Sequence, residues 1–344
     1  MAGITGLGTT FNLPNYVGEL FAASPTDTPL LSAIGGLTGG ERADGVIFQW
    51  QGYDLRDASA SRQRTEGADA PTREARVRFN VHNVVEIHQE AVGISYTKQA
   101  ATGQYRTTGS NHAGAVGLRG DNPVLDEASW QIDQHLKQVA RDIEISFIQG
   151  QFQNPSDNSN PRKTRGLLEA ITTNAVDAQG EKLSRDLVLD LMQQVWESGG
   201  IAEGETATLI VNATQKRLLT DIFVNEKYTE GSRNVGGVNV RTIETDFGTV
   251  NVMLNRYVPS DTLIVCSLEQ LAPVFLEIPG KGFLFVEPLA KTGAKDEWQL
   301  YGEVGLKYGN EKAHGKLTNL ATTLDSSASS ASSASSASSA SSAA

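Results

Sequence analysis

The sequence predicts an α+β protein, and three stretches carry that prediction. Asp121 to Gly150 has the period of one long amphipathic helix, Val46 to Tyr53 and Arg73 to Glu90 alternate as strands, and helical and strand patterns follow one another from 166 to 288. In the first stretch Leu125, Ala128, Ile132, Leu136, Val139, Ile143 and Phe147 recur at spacings of three and four, while Asp126, Glu127, Asp133, Lys137, Arg141, Asp142 and Glu144 fall off that stripe. Such a stripe requires a surface to bury against. Asp121 or Asn122 caps the start, Pro123 suits the first turn, and Gly150 ends the helix before the Asn154-Pro155 break. At about 1.5 Å per residue the rod spans roughly 40 Å, long for a helix inside one compact core.

A chain of 344 residues that is 39% hydrophobic can bury two modest cores, so two coupled domains are expected. The net charge of -11 argues against a protein that wraps nucleic acid through a basic face, and sequence-specific DNA binding is not expected. Cys266 stands alone in an apolar run, which rules out an intramolecular disulfide and a multi-cysteine metal site. The N-terminus has no basic stretch leading into an apolar core, and no run of eighteen apolar residues occurs, so the chain reads as soluble, non-exported and not membrane-bound.

Taken in order, residues 1–40 form an arm rich in Gly, Thr, Pro and Ser. It has short helical turns at Asn15 to Ala22 and Pro29 to Ile34, and its apolar anchors need a body the arm does not itself supply. Residues 41–92 form a long hairpin. In its returning strand Val77, Phe79, Val81, Val85 and Ile87 are expected on one face and Arg76, Arg78, Asn80, His82, Glu86 and His88 on the other. The polar stretch Asp54 to Pro71 between its strands is too long for an ordinary hairpin tip, so it projects and reaches an adjacent molecule. Residues 93–165 hold a glycine-rich connector, a short helix near Ser95 to Ala101, and the long helix at about 122–150.

Residues 166–288 make a second unit. Ser184 caps a helix stopped by Gly199-Gly200, and Ala207 to Val211 is a buried strand followed by a helix from Thr214 to Phe223. Val238 to Ile243, Thr249 to Leu254 and Thr262 to Cys266 are further strands. Residues 289–325 supply closing strands at Glu297 to Tyr308 and His314 to Leu320, expected to return to the sheet beside the long helix. Residues 326–344 are six SSA triplets and a final Ala, with too little apolar area to fold: a solvated tail.

Catalytic signals are weak. Ser95-Tyr96-Thr97-Lys98, Ser156-Asp157-Asn158 and Lys291-Thr292-Gly293 match the short motifs of serine β-lactamases in order, but the first is permissive and the other two lack their structural contexts. His82 and His88 lie roughly 20 Å apart along a strand, too far to share one ion, and Glu86 with His88 reads as a surface pair. The P-loop pattern fails because Gly309 is out of register and Leu317 replaces the Ser or Thr that ligates Mg²⁺. No catalytic, cofactor or metal site is expected. What remains is charge: Arg56, Arg62, Arg64, Arg73, Arg76 and Arg78 crowd the hairpin, while Asp126, Glu127 and Asp133 belong to an acidic flank of the long helix. Each is an expected inter-subunit contact, complementary charge fixing the register between copies.

This order of parts, together with GDNPVLDEASWQIDQHLKQVARDIEISFIQG, FGTVNVMLNRYVPSDTLIVCS and LAKTGAKDEWQLYGEVGLKYGNEKAHGKLTNL, resembles the major capsid proteins of tailed double-stranded DNA bacteriophages, with the Hong Kong 97-type fold. The early FNLPNYVGELFAASPTDTPLLSAIGG fits as well, so the resemblance runs from residue 9 to about 322. By it, residues 41–92 correspond to the family's extended loop, 93–165 and 289–325 to its peripheral domain with the spine helix, and 166–288 to its axial domain. The resemblance implies hexamers and pentamers that build an icosahedral shell around the genome, assembled in the host cytoplasm and retained in the virion. It implies no cofactor, a separate scaffolding protein (the arm begins almost at Met1), a portal and decoration proteins as partners, and enclosed DNA without sequence-specific contact. Family members that cross-link use an extended-loop lysine, but the first lysine here is Lys98, so non-covalent contacts are expected. The alternatives are an encapsulin-like nanocompartment shell within the same fold, a tail or decoration protein, and a serine hydrolase acting through Ser95.

Overall fold

The computed structural model describes residues 24–56, 58–103, 127–201, 207–227 and 242–322. The expected helical turn at 15–22, the cap at 121–123 and the Ser/Ala tail lie outside these residues. The chain opens with helix α1 (Pro29–Ala33), strands β1 (Glu41–Ala43), β2 (Ile47–Tyr53), β3 (Arg78–Val84) and β4 (Glu86–Ser95), and helices α2 (Tyr96–Gly103), α3 (Glu127–Gln149) and α4 (Leu167–Ala170). Next come β5 (Ala175–Asp177), α5 (Arg185–Glu197), β6 (Ala207–Val211), α6 (Ala213–Lys227), β7 (Thr242–Thr245), β8 (Gly248–Leu254) and β9 (Leu263–Ser267). β10 (Ala272–Leu276), β11 (Leu284–Pro288), β12 (Lys295–Lys307) and β13 (Gly315–Thr318) complete it.

Among the described residues the strands form two large sheets and a hairpin. The first sheet is five-stranded, with β1, β10, β12 and β11 in order and β4 on the other side of β12. The second is six-stranded, in the order β5, β13, β9, β6, β8, β7, and β2 pairs with β3 alone. Two placements differ from the sequence reading. β10 and β11, assigned by sequence to the second unit, pair with β12, and β13, expected beside the long helix, pairs antiparallel with β9 and parallel with β5. Alternation defines a strand's two faces but not its neighbours. Here the thirteen residues of β12 are long enough to hold both β10 and β11 along one edge and β4 along the other.

The long helix α3 lies against the first sheet. Its buried residues include Val139, Ile143 and Phe147 from the expected stripe, and also Ile148 and Glu144. They share one core with Leu30 and Leu31 of α1, with Leu300, Val304 and Leu306 of β12, and with Ile210, Ile264 and Cys266 of the second sheet. The opposite face of that sheet, through Leu209, Val211, Val265 and Leu317, packs on Val188, Leu191 and Met192 of α5. Burial on both faces is why β6 and β9 read as continuous apolar runs rather than alternating ones. Ser184 caps α5 by accepting from the Leu187 N–H at 3.3 Å, and the chain leaves the helix through Gly199 at φ 92°. Trp196, near the C-terminal end of α5, is exposed and lies 6.5 Å from Phe247.

Candidate assembly surface

The hairpin is anchored at one end and bare at the other. At the base, Phe48 and Val85 pack with Ala43 and Val274, and Trp50 stacks on Phe48 with ring centroids 5.9 Å apart. Trp50 also meets Tyr308 edge-on at 4.9 Å and donates its indole N–H to the Gly309 carbonyl at 2.7 Å. Asn83 fastens the second strand, donating to the Leu306 carbonyl at 2.7 Å and accepting from the Arg165 N–H at 2.8 Å. Beyond Val81 this support ends. Every residue from 71 to 80 is exposed, including Val77 at 72% and Phe79 at 48%, and Ile87 is exposed as well, so of the expected dry face of the returning strand only Val81 and Val85 are covered. Tyr53 at the end of the outgoing strand and Leu55 just beyond it are also bare, which leaves an apolar projection that none of the described residues covers.

The loop between β2 and β3 is organised around an acid the sequence reading passed over. Glu74 accepts from Arg62 at 2.7 Å and from Arg76 at 3.3 Å, with Arg56 at 4.0 Å. Hydrogen bonds from Arg62 and Arg76 hold its carboxyl below the usual carboxylate range. Three of the six candidate arginines are therefore engaged within their own loop. Arg78 donates to Gln51 at 3.3 Å, while Arg64 and Arg73 are exposed and, among the described residues, without a partner. Glu74 and Arg76 are two residues apart in extended chain and so point the same way, which was the one signal that could have exposed the pairing.

The acidic side of the long helix changes more. Glu127 is buried, accepts from Gln131 at 2.8 Å and lies 3.7 Å from the Lys98 ammonium, so it joins α2 to α3 and is not presented to a neighbour. Glu144, read as part of the same flank, is fully buried. Asp133 is exposed, paired with Lys137 one turn on at 2.6 Å, and Asp126 lies outside the described residues. A one-dimensional polar pattern could not separate these carboxylates, because two of them are buried by partners distant in sequence.

The first and third catalytic patterns are neighbours, with Ser95 paired to Lys295 across β4 and β12, but the second lies apart from them and the lysines are already engaged. Lys98 of the first is committed to Glu127, residues 156–158 sit exposed on a loop, and Lys291 contacts Tyr96 at 3.3 Å and Asp296 at 2.8 Å. Burial, reinforced by Glu269, pushes the Cys266 thiol up to about 12, an inert state at neutral pH. Glu86 and His88, expected at the surface, form a nearly buried pair at 2.9 Å, with Glu86 also accepting from the Thr164 N–H. No group of three or more His, Cys, Asp or Glu among the described residues is placed to hold a metal ion. No described helix is long and apolar enough to cross a membrane.

The family model described as SU10 major capsid protein matches residues 3–321. A major capsid protein of Escherichia phage Phieco32 is 21% identical over 371 residues, covering 91% of this chain and 95% of that protein. Among solved structures, a Cyanophage A-1(L) capsid chain superposes with a TM-score of 0.60 at 11% identity, covering 92% of this chain and 99% of that one. A holo-SrpI encapsulin complex from Synechococcus elongatus PCC 7942 has a TM-score of 0.54 at 12% identity, with coverage of 92% and 95%. Both structural likenesses speak to the fold, which is the Hong Kong 97-type fold.

Proposed function

The chain belongs to the SU10 major capsid protein family, and from that premise we propose that it assembles as hexamers and pentamers into the icosahedral shell around a phage's double-stranded DNA. The observation that carries the assembly reading is the hairpin: an anchored base, an arginine-bearing loop and bare Tyr53, Leu55, Val77 and Phe79, a projection that none of the described residues covers. Its natural cover is another copy, and burial of that apolar surface stabilises each subunit on assembly. The cations that would set register are Arg64 and Arg73, without a partner among the described residues, with Arg56, Arg62 and Arg76 shaping the loop.

The proposed role is structural and non-enzymatic, and the protein is part of the virion. A separate scaffolding protein, a portal and decoration proteins are proposed partners, with assembly in the host cytoplasm before packaging. The domain division proposed is an arm at 1–40, an extended loop at 41–92, a peripheral domain from 93–165 and 289–325, and an axial domain at 166–288, with β10, β11 and β13 crossing that division. The encapsulin likeness keeps a cargo-enclosing compartment as a second reading of the same fold, and the family match and the phage relative favour the genome-enclosing one.

Electron microscopy of the purified chain, expressed with and without its scaffold, tests this. Closed shells are expected; tubes or persistent monomers overturn it. Deleting 58–70 is expected to abolish closed shells and leave folded soluble subunits, and normal shells from that variant would remove the hairpin from the account.

A further inference from the structure

Helix α1 begins without a cap of its own. Thr28 at its N-cap makes no side-chain capping bond, its first turn holds no acid, and Pro29 has no N–H. The acceptor comes from 114 residues away. The Glu144 carboxylate on α3 accepts the Leu30 N–H at 2.8 Å on Oε1 and the Leu31 N–H at 2.6 Å on Oε2. The same Oε1 accepts the Asn255 side-chain amide at 2.6 Å. Asn255 sits in the turn between β8 and β9, where its N–H donates to the Val211 carbonyl at 2.9 Å and its Oδ1 accepts from the Tyr257 N–H at 2.9 Å.

That turn is clasped from both sides. Arg141, one turn before Glu144 on α3, donates to the Tyr257 hydroxyl at 3.0 Å, and Gln149 donates to the Tyr257 carbonyl. From the arm, Asp27 pairs with Arg256 at 3.1 Å. Around one fully buried carboxylate, three distant parts of the chain therefore meet: the arm, the long helix and the turn between β8 and β9 of the second sheet.

We infer that Glu144 is a latch, a positioning residue that fastens the N-terminal arm only when the long helix and the β8–β9 turn are in register. A carboxylate buried against three donors satisfies them all at once, and its loss leaves them without an acceptor in a dry site. The seat of α1 on the body is then set by Glu144 rather than by α1, which is too short to hold itself. Arm placement in assembly is a consequence that rests on the shell reading; the latch itself does not.

Hydrogen exchange on the full-length unassembled subunit tests the latch. In Glu144→Gln, whose amide turns a donor toward one of the three N–H groups, exchange at Leu30 and Leu31, and at Tyr257 through Asn255, is expected to quicken by about 10- to 100-fold while β6 amides stay protected. Adding Thr28→Asp to that variant supplies α1 with a local cap. It is expected to slow Leu30 and Leu31 in part and to leave Tyr257 fast. If the cap restores all three, Glu144 is only a helix cap and the latch is wrong. Should Glu144→Gln fail to fold, native-state exchange of the unsubstituted chain in rising denaturant decides: Leu30, Leu31 and Tyr257 opening together upholds the latch, and the arm opening alone overturns it. Wild-type subunits that show the coupled opening yet build no shells would count against the assembly reading only.

Discussion

Phe48 lies over Gly305 so closely that a Cβ on the glycine would come within 2.7 Å of Phe48 Cε1 and 2.7 Å of the Val84 carbonyl oxygen. The base of the hairpin thus rests on bare backbone of β12. Gly305→Val is expected to lift the hairpin from the sheet and cost about 1–3 kcal/mol, because the Val84 contact is backbone and cannot rotate away. Urea unfolding and exchange along β2 and β3 would register it; unchanged protection there would mean the hairpin is held elsewhere.

The loop above that base offers a cleaner separation of charge from shape. Glu74→Gln removes the acceptor shared by Arg62 and Arg76, whereas Glu66→Gln makes the same charge change at an exposed residue that, among the described residues, no arginine contacts. Both variants are expected to fold with unchanged melting temperature, as exposed ion pairs contribute little. Only Glu74→Gln is expected to lower shell yield, counted by electron microscopy. Equal yields would show that the loop needs no internal organisation before it meets a neighbour.

These residues also mark where the sequence was readable. The stripe of Val139, Ile143 and Phe147 and the runs of β6 and β9 follow from period and composition, so the long helix and the central strands were legible. The partner of β13 was not, because a four-residue strand carries no record of which edge it joins. Nor were Glu127 and Glu144, which look like solvated acids on a helix yet are buried by Lys98 and by the backbone of Leu30 and Leu31. Nor was the role of Glu74, because its partner Arg62 lies twelve residues away in an irregular loop whose fold leaves no period in the sequence.

Two glycines make the end of the long helix possible. A Cβ at Gly166 would lie 2.5 Å from the Gly150 nitrogen and 2.8 Å from the Ser146 carbonyl oxygen, while Gly293 faces open space. Gly166→Ala is therefore expected to cost about 1–3 kcal/mol by forcing the segment after residue 165 away from α3. Gly293→Ala serves as the neutral control. Denaturant midpoints decide it, and a Gly166 variant as stable as the control would show that the two backbones part easily.

Two carboxylates should bend the pH dependence of stability in opposite directions. Burial pushes Glu144 above its ordinary 4.5, with Asp27 adding to the rise, against the pull of the Leu31 and Leu30 amides and Asn255. The charges near it are Asp27, Arg256 bound to Asp27, and Arg141. A raised acid gives stability that is complete below 4.5 and is lost as pH rises through the folded value, so Glu144→Gln is expected to flatten that decline. Glu311 runs the other way. Burial raises it, but its hydrogen bonds from the Thr173 hydroxyl and N–H and the Thr172 N–H and hydroxyl prevail and hold it below 4.5. Its contribution is present above 4.5 and lost as pH falls through the lowered value, so Glu311→Gln should flatten the acid limb alone. Urea midpoints of the three proteins, measured from pH 3 to pH 8, would separate the two. If Glu144→Gln instead flattened the acid limb, the donors around its carboxylate would outweigh burial, and the sign assigned to it here would be reversed.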